Sequence, residues 1–190
     1  DPQDVGGGVV DIVTLEEAYW TSPPDKEEAG TPDIVGVVAL GKAIKLFQSL
    51  GWEAIIKHES ELAAYALKKL NKIPEVTIYG DSDPANAANR LGVISFNISG
   101  VPHNLASAIL AYEGAIGVRS GCFCAHPYLK SLLSLTCDQE KSMQERILAR
   151  DRSQLAGAIR VSFGLYNTIE EIDKLIEMIK KIVSGDYHPF

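Results

Sequence analysis

The segment Arg119-Ser120-Gly121-Cys122-Phe123-Cys124-Ala125-His126-Pro127 gathers a cation, a flexible glycine, two thiols and an imidazole in one short stretch. A cysteine beside an arginine or a helix N-terminus gains thiolate character, because both stabilise negative charge, and the thiolate is the nucleophile. Two other readings stay open on the residues alone. A loop cysteine also serves as a small hydrophobe, and Cys122, Cys124 and His126 offer sulfur and imidazole to zinc. The spacing weakens the metal reading, since structural zinc sites usually place two residues between paired cysteines and add a second pair elsewhere. Cys137 has no companion signal and reads as structural.

Two further positions have the chemistry of anion recognition. Arg160 falls within the run Ile159-Arg160-Val161-Ser162, whose alternation predicts a strand with one buried face and the guanidinium on the other. Its planar fork suits a carboxylate through two parallel bonds, as in an amino-acid substrate; an internal salt bridge is the alternative. Gly30 and Thr31 precede a helical pattern, where an amide and a hydroxyl could meet a phosphate. The same pair could equally be a turn and an N-cap.

The elements that must carry these groups are legible from periodicity. Residues 9–20 are apolar and β-compatible, and 21–33 form a long polar loop. From Ile34, Val37, Leu40, Ile44, Phe47 and Leu50 recur at helical spacing until Gly51 interrupts. A second helix runs from Glu53 to before Pro74, acidic early and basic late, as the helix dipole favours. Strands are predicted over 76–79, 90–99 and 157–164, a helix from Pro102 to Gly114, a short extended run over 116–119, and a helix over 128–135. The charged stretch from Cys137 to Arg152 reads as a solvated helical insertion. Thr168 and Glu171 form a capping box for a final helix ending near Gly185. This order predicts an α+β domain, a small and mostly antiparallel sheet covered by helices.

Composition bounds the function classes. With 190 residues and 46% hydrophobic content, the chain can fill the core of one domain, or of one domain plus part of another. A formal net charge of -7 with no basic run argues against nucleic acid. No apolar stretch approaches the roughly 20 residues of a membrane span, and the acidic start from Asp1 to Asp4 is unlike a signal peptide, so a cytoplasmic location is expected. The odd set of three cysteines argues against a secreted disulfide framework. The opening without methionine, running at once into Gly6-Gly7-Gly8, suggests a piece of a longer polypeptide.

Taken in order, these pieces resemble the class V aminotransferases, and within them the cysteine desulfurases and selenocysteine lyases. The matching stretches are Gly6-Gly7-Gly8, Glu28-Ala29-Gly30-Thr31-Pro32, Arg90-Leu91-Gly92-Val93-Ile94-Ser95-Phe96, Arg119-Ser120-Gly121 with a cysteine three residues on, and Ile159-Arg160-Val161-Ser162 followed by Tyr166-Asn167-Thr168. The resemblance implies the C-terminal half of a fold-type I pyridoxal-phosphate enzyme. Residues 1–70 would be the edge and linking helix of its large domain, and residues 71–190 its small domain. Cys124 would accept sulfur from cofactor-bound L-cysteine, becoming a persulfide as alanine leaves. Arg160 would hold the substrate carboxylate, Arg119 would line the pocket, and Gly30 and Thr31 would reach the cofactor phosphate of the other subunit of a homodimer.

The resemblance also implies that the cofactor lysine, the histidine before it and the aspartate facing the pyridine nitrogen belong to a part preceding Asp1. The chain alone is then expected to bind pyridoxal phosphate poorly, to be inactive, and to expose apolar surface of the missing part. Cys122-Phe123 and the insertion after Leu135 depart from simpler desulfurases. Gly-Cys-Phe-Cys is also similar to molybdenum-cofactor sulfurases, and other members of the group remain open. A non-catalytic module that docks a sulfur-acceptor protein or a partner subunit is the reading from another class.

Overall fold

A computed structural model describes residues 1–151 and 155–188. They form two units, Asp1–Trp52 and Glu53–Phe190. In the first unit the β-compatible run from Val9 forms a hairpin, β1 (Val10–Val13) and β2 (Ala18–Trp20). Thr14 makes the break: its hydroxyl accepts the Glu17 amide at 2.9 Å and lies 3.1 Å from the Glu17 carbonyl, to which it donates. Helix α1 (Ile34–Leu50) follows, capped by Asp33, whose carboxylate accepts the Gly36 amide at 2.9 Å. Gly51 ends it at φ 83°, a left-handed value that side chains disfavour. The periodicity located this helix, yet Val37, Leu40, Ile44 and Leu50 are exposed rather than part of a core.

The second unit is built on a four-stranded antiparallel sheet, β3 (Val76–Tyr79), β4 (Val93–Ile98), β5 (Arg119–Gly121) and β6 (Ala158–Ser162), in the order β3-β4-β6-β5. Alternation along β4 buries Ile94, Phe96 and Ile98 on one face and turns Ser95 and Asn97 to the other. The buried face meets α2 (Trp52–Leu70), α3 (His103–Tyr112) and α6 (Ile169–Ser184), which contribute Leu67, Leu70, Ile109, Leu110, Ile179 and Ile182 to one core. The Thr168–Glu171 capping box starts α6, and Gly185 stops it in the left-handed region. The α+β class expected from the element order is the class observed.

Several boundaries differ from the sequence reading, among them the short extended run expected over 116–119, which is β5 at Arg119–Gly121. Strand β4 starts at Val93, not Arg90, because Asp83 caps a 3-10 turn over Pro84–Asn89 and the Arg90 guanidinium is drawn onto the carbonyls of Asp81 and Val93. Helix α4 (His126–Leu132) starts earlier than expected, since a proline in the first turn costs no hydrogen bond. The charged insertion forms α5 (Cys137–Leu148), with no buried residue and with a Thr136–Gln139 capping box; Arg152, its expected end, lies outside the described residues. Among the described residues, no single helix is long and apolar enough to cross a membrane.

Candidate active site

Strand pairing sets the site. Arg160 on β6 lies opposite Ser95 on β4 and opposite Arg119 on β5, so these three side chains share the sheet face turned away from the core. Asn97, two residues beyond Ser95, and Tyr79, opposite Ser95, belong to the same face. The Asn97 amide donates to the Tyr79 hydroxyl at 3.1 Å and to the Gly157 carbonyl at 2.9 Å. The Arg160 Nε and the Asn97 Oδ1 are both buried without a hydrogen-bond partner among the described residues. The internal salt bridge considered for Arg160 finds no acid in place among the described residues. The Arg90 Nε is in the same condition, and a bound acceptor is one way to satisfy such a donor at Arg160.

The turn after β5 carries the thiols. Gly121 has φ 109°, and Phe123 and Cys124 both take left-handed values, 53° and 60°, which are uncommon for residues with a side chain. The Ala125 amide closes the turn on the Cys122 carbonyl at 2.8 Å. This backbone lays the Phe123 ring 5.2 Å from the Arg160 guanidinium carbon, a cation–π contact. Cys124, the next residue, is exposed just ahead of α4, whose N-cap is Ala125. Strained turns of this kind gather at functional sites.

The two thiols differ in environment. Cys122 is half-buried and donates to the Ala156 carbonyl at 3.4 Å. Burial pushes its thiol up, against a weaker pull downwards from Lys130. Cys137 is exposed on α5. Among the described residues, no three histidine, cysteine or acidic side chains are grouped to hold a metal.

The residue reading missed three of the groups that shape this site: His103, Asn97 and Phe123. His103, first residue of α3, bonds the Ser120 hydroxyl through Nδ1 at 2.7 Å and the Leu155 carbonyl through Nε2 at 2.9 Å. Its position beside Pro102, a polar residue opening an apolar helix, was the available signal. Asn97 had only its place among the polar positions of β4.

Gly30 and Thr31 sit in the first unit. Gly30 has φ 87°, and its amide donates to the Gly7 carbonyl at 2.8 Å. Thr31 is exposed, and the N-cap of α1 is Asp33, not Thr31. Of the two groups suited to an anion, the amide is thus already bonded.

The family profile described as aminotransferase class-V matches residues 1–175. The chain is 36% identical over 191 residues to a probable cysteine desulfurase of Halalkalibacterium halodurans, covering 100% of this chain and 40% of that protein. A probable cysteine desulfurase of Staphylococcus aureus is 35% identical over 182 residues, covering 95% and 38%. Among solved structures, the apo cysteine desulfurase of Thermococcus onnurineus superimposes with a TM-score of 0.77 at 31% identity, over 97% of this chain and 40% of its own. The cysteine desulfurase CsdA of Escherichia coli gives 0.75 at 25% identity, over 97% and 39%. The chain therefore spans about 40% of the length of the relatives it matches.

Proposed function

This chain belongs to the class V aminotransferase family, and on that premise we propose that it is the C-terminal part of a pyridoxal-phosphate-dependent cysteine desulfurase. The observation that supports the reading is the half-buried Arg160, whose Nε lacks a hydrogen-bond partner among the described residues, lying against the Phe123 ring with the exposed Cys124 next to it in sequence. An amino-acid carboxylate completes the guanidinium with two parallel charge-assisted bonds. Held there, L-cysteine presents its sulfur to the Cys124 thiolate, which takes it as a persulfide while alanine departs. Arg119, on the same sheet face, adds positive charge around the carboxylate.

Pyridoxal phosphate, when bound, supplies the electron sink for the carbon–sulfur cleavage. Among the described residues, those proposed to meet it lie at its phosphate end: the exposed Thr31 is available, whereas the Gly30 amide is engaged by Gly7. We place that contact across a homodimer interface. On this proposal the cofactor lysine lies in the part of the polypeptide that this chain does not span, and the chain alone does not turn over. In the intact polypeptide, residues 1–70 lie on the large-domain side, with α2 as the linking helix, and residues 71–190 form the small domain. A cytoplasmic enzyme that hands sulfur to an acceptor protein follows from this reading.

Co-expression of the chain with the missing part of the polypeptide tests it. Recovered cofactor absorbance together with alanine release from L-cysteine is the expected result; a stable complex with neither contradicts it and makes the chain an interaction module.

A further inference from the structure

Three successive carbonyls leading into β6 each accept a bond from a side chain of a different element. His103 at the start of α3 holds Leu155 at 2.9 Å, Cys122 holds Ala156 at 3.4 Å, and Asn97 on β4 holds Gly157 at 2.9 Å. The Ala156 amide is engaged as well, by Met143 Sδ at 3.3 Å from α5. Gly157 has no room for a side chain: a Cβ there would lie 2.5 Å from His103 Nε2 and 2.9 Å from the Gly121 Cα. The segment that delivers Arg160 is therefore fixed at every step.

Cys122 is the member of this clamp that comes from the turn carrying Cys124. That turn holds two residues in left-handed backbone, and its internal closure is the Ala125-to-Cys122 bond. Relaxation of the turn would move Cys124 and Phe123 away from Arg160. Resting on the desulfurase reading above, we infer that Cys122 is a positioning residue: its S–H pins the nucleophile's turn to the Arg160 strand, and it takes no sulfur itself. A donor thiol must stay protonated, which its burial favours.

The test uses the intact, cofactor-loaded polypeptide. Cys122→Ala removes the pin and leaves Arg160 in place, so kcat falls about tenfold while KM for L-cysteine stays within about twofold. Cys122→Ser keeps a donor at that position and recovers most of kcat. Wild-type kcat in Cys122→Ala, or a serine variant as slow as the alanine one, overturns the inference. Iodoacetamide labelling of the unmodified protein provides a second readout that needs no variant to fold: Cys124 is labelled and Cys122 protected. Equal labelling, or a persulfide mapped to Cys122, also overturns it. Alanine release that survives Cys124→Ala would instead overturn the desulfurase reading, so the two failures are distinguishable.

Discussion

The guanidinium carbon of Arg160 lies 5.2 Å from the ring centroid of Phe123, the residue immediately before Cys124. Arg160 also stands directly across the sheet from Arg119. Like charges directly opposite one another are destabilising, and on the reading proposed above an anion on this face neutralises both. The ring above Arg160 limits the side from which that anion can enter. On that reading, the proposed nucleophile Cys124 and the proposed carboxylate grip Arg160 are tied together through Phe123, the neighbour of Cys124 in the turn.

Replacing Arg160 tests the grip. In the intact polypeptide, Arg160→Ala raises KM for L-cysteine about 10-fold to 100-fold, the loss of a charge-assisted pair worth about 1.5–3 kcal/mol. Arg160→Lys fails to restore it, because an ammonium cannot offer the planar fork. Steady-state kinetics decide the matter, and a lysine variant with wild-type KM contradicts the bidentate role.

How much of this was legible beforehand depended on the range of the interaction. The β4 and β6 alternation, the α6 capping box and the α+β class were local patterns of a few residues and were readable. The start of β4 was not, since Arg90 leaves the strand for carbonyls as far back as Asp81. His103 escaped because its meaning comes from Leu155, a partner 52 positions away. On residue type alone Cys122 and Cys124 looked alike; the family resemblance singled out Cys124, and the packing of Cys122 against Ala156 adds the difference in environment. The stripe on α1 was a correct helix signal that said nothing of what covers it, and its residues are exposed.

Gly157 provides a test of the clamp's tightness. Gly157→Ala forces a methyl onto His103 and onto the Gly121 backbone, and the backbone cannot rotate aside. Overpacking of this kind costs about 1–3 kcal/mol. Urea denaturation of the intact protein reports it as a lowered midpoint; an unchanged midpoint means the segment is looser than described.

The start of α6 predicts part of the acid sensitivity. The Asn167 side chain, at 2.9 Å, and then the Thr168 amide, at 3.0 Å, hold the Glu171 carboxyl below the usual range. A carboxyl lowered on folding contributes stability fully above its ordinary value of about 4.3, and that contribution is lost as pH falls through the lowered value. Glu171→Gln keeps a capping-box side chain and removes the titration. Denaturation midpoints measured from neutral to acid pH converge for the two proteins as this window is crossed; curves that stay parallel contradict the assignment.

On the proposed reading, Cys124 receives sulfur from an amino acid gripped by Arg160. Mass spectrometry of the intact, cofactor-loaded polypeptide after incubation with L-cysteine addresses it most directly. The expected result is the added mass of one sulfur atom on the peptide containing Cys124, and its disappearance in Cys124→Ala. Added sulfur that persists in that variant contradicts it.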